Sequence, residues 1–157
     1  MSSKRKLPAY RQSVAGSLLA AREAVMSPIR PILHDASLTE QQWRVLRALV
    51  DEGSLDPSNL AAAAILLPPS VTRILRELLE RGLIERVVDA ADGRRSIVTV
   101  SASGRTLFEH TAAHTHLLLE AYKKSFGADR LKHLVAELHA LTNAIQSLGL
   151  GKGVVNE

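Results

Sequence analysis

The chain of 157 residues contains no cysteine. This absence excludes disulfides, thiol catalysis and cysteine redox sensing. Long apolar runs are also missing, since none approaches the roughly 18 residues that a membrane span needs. The N-terminus from Met1 to Lys6 is basic and has no apolar signal core behind it. We therefore expect a cytoplasmic protein with no membrane partner.

Catalytic motifs are missing as well: the sequence has no nucleophile elbow, no phosphate-binding loop and no H-E-x-x-H. We expect neither an enzyme nor a bound cofactor. His110 and His114 lie four residues apart, a spacing able to hold zinc, and Glu109, His116 and His133 are conceivable further ligands. Zinc sites need three or four ligands, and nothing in the sequence fixes the others in space. Solvated or core histidines are therefore favoured, and we expect no metal.

Hydrophobic residues make up 46% of the chain, which is ample for a core, and the length fits one domain or a domain with an oligomerisation arm. The net charge of +4 and the pI of about 9.8 are weak evidence for nucleic acid, because many soluble proteins are this basic. Residues 1–9 carry basic residues and no acid. They predict a flexible arm near phosphate or, alternatively, a solvated terminus.

Most of the chain has helical periodicity. A first helix is predicted from Tyr10 to Leu33, and Pro28 and Pro31 should kink or interrupt it, since each removes a backbone donor. A second helix begins at the capping box Thr39-Glu-Gln-Gln42 and stops at Gly53.

Two further helices joined by a tight turn indicate a helix-turn-helix. An alanine-rich helix from Leu60 to Ile65 follows the N-cap and proline pair Asp56-Pro57. The next helix opens at Pro68-Pro69 and ends at Gly82. One of its faces is apolar, with Val71, Ile74, Leu75, Leu78 and Leu79. Away from that face lie the candidate DNA contacts Pro69, Ser70, Thr72, Arg73 and Arg76.

This polar side predicts a recognition helix whose N-terminal end enters the major groove of DNA. Arginine there can contact guanine O6 and N7 with two hydrogen bonds, while Thr and Ser can contact phosphates or a thymine methyl group. Alternatively, the face is solvated and carries ion pairs, because Arg73 and Glu77, like Arg76 and Glu80, are four residues apart.

A basic hairpin follows the recognition helix. Strands are predicted from Leu83 to Val88 and from Ser96 to Val100, around the polar loop Asp89-Ala-Ala-Asp-Gly93. Arg94 and Arg95 could enter the minor groove or clamp phosphate, and Asp92 could hold one of them by a salt bridge. The alternative is a turn that uses its charges only for solubility.

Two long helices close the chain. Ser101 caps one that runs to about Phe126, and the other spans about Asp129 to Leu148. Both exceed the needs of a single winged lobe, so we interpret them, together with the first helix, as a dimerisation layer. The predicted fold is mainly α with a small β-wing, a winged helix-turn-helix with N- and C-terminal dimerisation helices. The predicted parts are a basic flexible arm (1–9), dimerisation helices (10–34 and 102–148), a DNA-binding lobe (35–101) and a flexible tail (149–157).

Several segments together resemble the MarR family of winged-helix regulators. The wing signature of that family, D-x-R-D-x-R, a hydrophobic strand and then T-x-x-G, is similar to Asp89-Ala-Ala-Asp-Gly-Arg94, Ile97-Val-Thr-Val-Ser101 and Gly104. Ser70-Val-Thr-Arg73 and Leu79-Glu-Arg-Gly-Leu83 resemble its recognition helix and the turn after it. The resemblance covers residues from about 11 to 148.

Two positions depart from the family pattern. Ala91 stands where many members have an arginine, which leaves the minor-groove contact to Arg94 or Arg95. Ser101 replaces the usual threonine and keeps a hydroxyl for capping.

Within that family, Ala21-Arg-Glu-Ala24, Arg30-Pro-Ile32 and Leu38-Thr-Glu-Gln-Gln-Trp-Arg44 resemble the repressors of homoprotocatechuate degradation operons. The resemblance implies a homodimer that leaves its operator when an aromatic acid binds between the dimer helices and the DNA-binding lobe. The residues expected to line that crevice are Arg22, Met26, Arg30, His34, Trp43 and Arg44.

Arginine suits a carboxylate because its planar fork makes two parallel charged hydrogen bonds, and Arg22 is our choice for the anchor. Trp43 and Met26 could sandwich an aromatic ring. The alternative is that both belong to the core and that Arg22 pairs with an acid of the partner chain.

The sequence therefore predicts a homodimeric repressor of an aromatic-acid catabolic operon that binds a palindromic operator in double-stranded DNA and is released by an aromatic carboxylate. Three alternatives stay open: a regulator without a small ligand, a zinc-responsive regulator, and a helical protein-interaction module.

Overall fold

The computed structural model describes residues 7–88 and 96–149. A short 3-10 helix, Tyr10–Gln12, precedes seven α-helices and one hairpin in these ranges. They are α1 (Val14–Met26), α2 (Ile29–Asp35), α3 (Glu40–Glu52), α4 (Pro57–Ala63), α5 (Pro68–Glu80), β1 (Ile84–Val88), β2 (Ser96–Val100), α6 (Ala102–Phe126) and α7 (Ala128–Ser147). The chain forms two compact units, Met1–Thr115 and His116–Glu157.

The predicted first helix, Tyr10 to Leu33, is divided into α1 and α2, and the break confirms the interruption predicted at Pro28. Ser13 caps α1 by accepting a hydrogen bond from the Gly16 amide at 3.1 Å, and α1 ends before Pro28, as expected of a helix-interrupting proline. The prediction that Pro31 interrupts a helix is wrong. Pro31 lies in the first turn of α2, where backbone N–H groups have no intrahelical partner, so a proline there removes nothing.

The capping box at the start of α3 is confirmed. Thr39 Oγ1 accepts from the Gln42 amide at 3.1 Å, and Gln42 Oε1 accepts from the Thr39 amide at 3.1 Å. From this start α3 buries one face in the core of the first unit, with Trp43, Val45, Leu46, Ala48 and Leu49.

The two helices of the predicted helix-turn-helix follow. Asp56 caps α4 by accepting from the Ser58 and Asn59 amides at 3.0 and 2.9 Å. The helix ends at Ala63, two residues before the predicted end, because Ile65 has a φ of +54° and cannot continue it. The angle between α4 and α5 is 104°, within the roughly 90–120° typical of the motif.

The apolar face of α5 is confirmed: Val71, Ile74, Leu75 and Leu78 are buried, and each contributes roughly 1.5–3 kcal/mol by leaving water. None of the described helices is by itself long and apolar enough to cross a membrane. The bent pair α4 and α5 passes that test by length and composition only, and both helices supply core residues to the first unit.

The hairpin pairs β1 with β2 antiparallel, from Ile84 opposite Val100 to Val88 opposite Ser96. The fully buried Val98 is also joined to Leu55, with hydrogen bonds of 3.0 and 2.8 Å in the two directions. The hairpin is therefore fixed to the connection between α3 and α4. The loop with Asp92, Arg94 and Arg95 lies outside the described residues.

The junction between β2 and α6 is closely packed. Ser101 Oγ accepts from the Gly104 amide at 3.0 Å and donates to the Gly82 carbonyl at 2.7 Å, which confirms its expected role as a cap. A Cβ at Gly104 would lie 1.9 Å from the Leu83 carbonyl oxygen. Only glycine fits there, which explains why the sequence pattern has a glycine at this spacing.

In the second unit, α7 has no buried residue. The apolar residues of α7 and its C-cap differ in exposure: Leu131, Leu138 and Leu141 are half-buried, whereas Leu134, Ile145 and Leu148 are exposed. Within the same unit, the Arg130 guanidinium lies 4.3 Å from the centre of the Phe126 ring.

The Gly104→Ala variant should be destabilised by about 1–3 kcal/mol, since its methyl group must displace backbone at the Leu83 carbonyl. Thermal unfolding measures the effect. Ser103→Ala, which removes one exposed hydroxyl bond to Gly82, is the control and should lose much less. Wild-type stability in Gly104→Ala would contradict the close contact.

Candidate nucleic-acid interface

The solvent side of α5 carries the residues predicted to contact DNA. Pro69, Thr72, Arg73 and Arg76 are exposed, and Ser70 is half-buried. They are oriented outward because the buried stripe of α5 points the other way. Pro68 and Pro69 occupy the first turn, where missing amide donors are tolerated.

A cleft of about 570 Å³ lies beside this face. Three arginines line it, Arg73, Arg76 and Arg86, against a single acid, Glu80. Arg86 belongs to β1, and sequence reasoning missed it. The signal was available in the strand, since an exposed arginine on a hairpin next to a recognition helix suits phosphate. The remaining lining residues are Pro57, Pro69, Thr72, Leu75 and Leu79.

The arginines of α5 differ in their partners. Arg73 donates from Nη1 to Glu77 Oε1 at 2.7 Å and from Nη2 to Gln41 Oε1 at 3.3 Å. Arg73 and Glu77 therefore form the ion pair that the alternative interpretation of this face predicted. Arg76 forms no ion pair with Glu80 or with any other described residue. The residue is exposed, so its donors are accessible from solvent.

Glu77 also connects α5 with α3. Its Oε2 accepts from Gln42 Nε2 at 3.0 Å, while Gln42 Oε1 accepts from Arg81 Nη1 at 3.5 Å as well as from the Thr39 amide. Gln42 is only 6% exposed. A buried amide must be hydrogen-bonded, so this network fixes the position of Glu77 and, through it, that of Arg73.

A second charged cluster joins α1, α2 and α3. Arg22 Nη2 donates to Glu40 Oε2 at 2.5 Å, and Arg22 Nη1 donates to Glu23 Oε1 at 3.0 Å. Arg30 Nε donates to Glu40 Oε1 at 2.6 Å, and Arg30 Nη2 donates to Glu23 at 2.9 Å. The acids that pair with Arg22 belong to its own chain, whereas the alternative named an acid of the partner.

The cluster shifts the ionisation of its members. The hydrogen bond from Arg30 holds the pKa of Glu40 below its usual value of 4.5, against partial burial, and Arg22 adds to the effect. The same bonds raise the pKa of Arg30 above its usual value. Glu40 is therefore ionised at neutral pH and competes with any other anion for both arginines.

The structure distributes the other predicted effector residues over different places. Trp43 is buried and stacks on Phe108 with ring centroids 5.0 Å apart. Met26 is half-buried. The His34 side chain is 91% exposed, and its nearest acid is Asp35 at 3.8 Å. Arg44 Nη1 donates to the Ile65 carbonyl at 2.9 Å, on the turn between α4 and α5. Arg22 and Arg30 are thus brought together, and Arg44 contacts the helix-turn-helix.

The histidine pair on α6 has ring centroids 4.8 Å apart, and His114 Nδ1 lies 2.9 Å from the His110 carbonyl. One ring nitrogen of His114 is therefore occupied by its own helix. Among the described residues, no three His, Asp or Glu side chains gather closely enough to hold a metal ion.

Comparisons with known proteins match this chain to members of one family. A model of the MarR family matches residues 38–96. The chain is 37% identical over 138 residues to the HTH-type transcriptional regulator FarR of Neisseria gonorrhoeae, covering 86% of this chain and 94% of that protein. It is 35% identical over 137 residues to the homoprotocatechuate degradative operon repressor of Escherichia coli, covering 85% and 93%. The crystal structure of NadR in complex with 4-hydroxyphenylacetate is 37% identical, with a TM-score of 0.74, and covers 88% of this chain and 97% of that chain.

The matched family segment contains the helix-turn-helix and the first strand of the hairpin, and the likeness to both regulators extends through the flanking helices. The predicted winged helix-turn-helix is confirmed, and so is the expectation of a regulator in place of an enzyme. This chain belongs to the MarR family of DNA-binding transcription regulators.

Proposed function

We propose that the protein is a homodimeric cytoplasmic repressor of an aromatic-acid catabolic operon, which binds a palindromic operator and leaves it when an aromatic carboxylate binds beside Arg22 and Arg30. The observation that carries the DNA-binding part is the outward face of α5, where Arg76 is exposed and unpaired among the described residues. The first two charged residues along α5, Arg73 and Arg76, are both cationic, which suits the negative potential of a groove.

The DNA contacts follow from the chemistry of this face. Arg73 and Arg76 can each donate two hydrogen bonds to a guanine, and Thr72 and Ser70 can reach phosphates or a thymine methyl group. Arg86 on the hairpin adds a phosphate contact at the edge of the cleft. In this proposal Asp92, Arg94 and Arg95 extend the contact to the neighbouring minor groove.

Dimerisation is supported by the exposed apolar residues outside the DNA-binding lobe. On α1 they are Val14, Leu18, Leu19 and Val25, and in the second unit they include Leu117, Leu134, Ile145 and Leu148. Exposed apolar side chains in such numbers mark an interaction surface. In the proposed dimer, residues 10–34 and 102–148 form the interface and residues 35–101 the DNA-binding lobe. Two recognition helices about 34–36 Å apart would contact successive major grooves.

The effector proposal starts from the Arg22 and Arg30 pair. The Escherichia coli relative is a repressor of homoprotocatechuate degradation, and NadR was crystallised with 4-hydroxyphenylacetate. Both compounds are aromatic carboxylic acids. Two guanidinium groups that already share Glu40 and Glu23 have the donor geometry for a carboxylate, which can take the place of an internal acid.

Release then follows through the first turn of α3. Glu40 lies in that turn, directly before Gln41 and Gln42, which contact Arg73 and Glu77 of the recognition helix. An effector that takes Arg22 and Arg30 from Glu40 loosens this turn and thereby the support of Arg73. The effector can shift the equilibrium only by its difference in affinity between the free and the DNA-bound conformation.

Replacing Arg76 by alanine should weaken operator binding by about 5- to 150-fold, the range of one base contact. The operator is first selected from random duplexes with the wild-type protein, and affinity is measured by fluorescence anisotropy at several salt concentrations. Lys132→Ala removes a charge of the same sign from α7 and should bind like the wild type. A protein-interaction module would show no duplex binding that weakens steeply with salt, and that result would overturn the proposal.

The double variant Leu134→Glu/Ile145→Glu should shift the protein toward monomer, because it places charges on exposed apolar positions of α7. Sedimentation equilibrium measures the shift, and operator affinity should fall with it. Gln146→Glu adds one charge at a neighbouring polar position of the same helix and should remain dimeric. A wild-type protein that is monomeric at micromolar concentration would contradict the dimer.

Arg22→Ala should raise the 4-hydroxyphenylacetate concentration needed for operator release by about 10- to 150-fold, the loss of a charged hydrogen-bonded pair. Operator affinity without effector should stay close to that of the wild type, because Arg30 still pairs with Glu40 and keeps the first turn of α3 in place. The neutral 4-hydroxyphenylacetamide should not release the wild type, because it lacks the carboxylate. Release by zinc in place of any aromatic acid, or loss of operator affinity in Arg22→Ala, would argue against this site.

Glu40→Gln should lower the effector concentration needed for release severalfold, since it removes the internal carboxylate that competes for both arginines.

The same variant should differ from the wild type in stability by an amount that depends on pH. The pKa of Glu40 is lowered in the folded state, so its ion pairs stabilise above the ordinary pKa and are lost as the pH falls through the lowered value. The Tm of the variant should therefore lie below that of the wild type at about pH 7, and the difference should shrink progressively as the pH falls below the usual glutamate pKa of 4.5. A constant difference across that range would exclude the ionic contribution.

A further inference from the structure

The turn between α4 and α5 exposes two large apolar side chains. Ile65 is 81% exposed and Leu67 is 74% exposed, whereas Ala64 is buried and Leu66 packs against the core. In the described part of residues 35–101, the exposed large hydrophobics are Ile65, Leu67, Val87 and Val88. They therefore occur at two places, the entry to the recognition helix and the outer part of the hairpin.

The backbone of this turn makes the choice of isoleucine unusual. Ile65 has a φ of +54°, in the left-handed region, where a β-branched residue is a clear outlier. Glycine or asparagine would adopt this conformation with less strain. The side chain contributes nothing to the core and disfavours the local backbone, so neither packing nor local conformation accounts for an isoleucine at this position.

An arginine holds the turn in place. Arg44 Nη1 donates to the Ile65 carbonyl at 2.9 Å, while Arg44 Nε is buried without a hydrogen-bond partner among the described residues. Ser37 is the other described non-glycine residue with a positive φ, and its carbonyl accepts from Arg81 at 2.7 Å. In both turns an arginine side chain donates to the carbonyl of a residue with a left-handed backbone. Arg44 does so at the Ile65 turn although its own Nε donor stays unsatisfied.

The location of the turn indicates what Ile65 and Leu67 contact. Leu67 is the N-cap residue of α5, and the N-terminal end of a recognition helix enters the major groove. Arg73 and Arg76 on the same helix direct this end toward DNA. The thymine methyl is the apolar group that base edges present in the major groove.

We propose that Ile65 and Leu67 are specificity-determining residues that contact thymine methyl groups in the operator, and that Arg44 is a positioning residue that holds their turn. The inference rests on the proposed function, because it requires α5 to be the recognition helix. It assigns Arg44 to DNA recognition, where the sequence had suggested the effector site.

The direct test replaces thymine by uracil, one position at a time, in an operator selected with the wild-type protein. Uracil lacks only the methyl group, so hydrogen bonding at the base edge is unchanged. Wild-type affinity should fall about 4-fold at one or more positions in each half-site, the value of one buried methylene-sized group. Equal affinity for every thymine and uracil operator would overturn the proposal.

Variants assign the contact to its residue. Ile65→Gly should bind the thymine and uracil operators equally at its position, and Leu67→Ala should do so at a different position. Ile65→Gly should also keep or raise the Tm, because glycine removes the backbone strain. This combination of undiminished stability and lost discrimination separates a contact residue from a structural one. Val87→Ala on the hairpin is the control and should retain full discrimination.

Arg44→Met should reduce thymine discrimination and operator affinity together, and Arg44→Lys, which keeps a donor for the Ile65 carbonyl, should restore part of both. If Ile65→Gly, Leu67→Ala and Arg44→Met all still discriminate thymine from uracil, the inference is overturned. Operator binding by the wild type would uphold the proposed function in that case. If the wild type selects no operator at all, the proposed function fails first and the inference fails with it.

Discussion

The first turn of α3 is the point on which the arrangement of the first unit depends. Its capping box closes through the side chain of Gln42, which is buried and also donates to Glu77 of the recognition helix. Leaving such a buried amide without hydrogen-bond partners costs about 1–3 kcal/mol. The Gln42 side chain therefore holds the start of α3 and the middle of α5 in one relative position. The residues that define the beginning of one helix thereby orient the DNA-contacting face of another.

The same turn has a second set of contacts on its other side. Glu40 holds Arg22 and Arg30 of the preceding helices, while Gln41 and Gln42 hold the recognition helix. An anion at the arginines and a duplex at α5 would therefore act on neighbouring residues of one helical turn. By linkage, if the anion weakens DNA binding, DNA must weaken binding of the anion by the same factor.

Local strain in this protein is found at turns next to α3 and α5. Ser37 and Ile65 both have left-handed backbones, and the carbonyl of each accepts from an arginine of a different element. Strained conformations persist only where the surrounding structure determines them, and they are frequent at functional sites. Glycine at either position would relax the backbone but would remove a side chain that the lobe presents to solvent.

Local signals were enough to predict much of this protein from its sequence. The capping box, the proline at the start of α4, the apolar stripe of α5 and the Ser101 cap all depend on contacts within a few residues, so sequence order alone reveals them. Pro31 was misjudged because a proline interrupts a helix only beyond its first turn, and the start of α2 was set by the break at Ser27 and Pro28. The partners of Arg22, Arg44 and Gln42 lie 18, 21 and 35 residues away, and only the packing of separate helices decides such pairings. Periodicity thus determined which face of α3 and of α5 is buried, whereas the tertiary structure decided which arginine pairs with an acid, which holds a turn and which has no partner among the described residues.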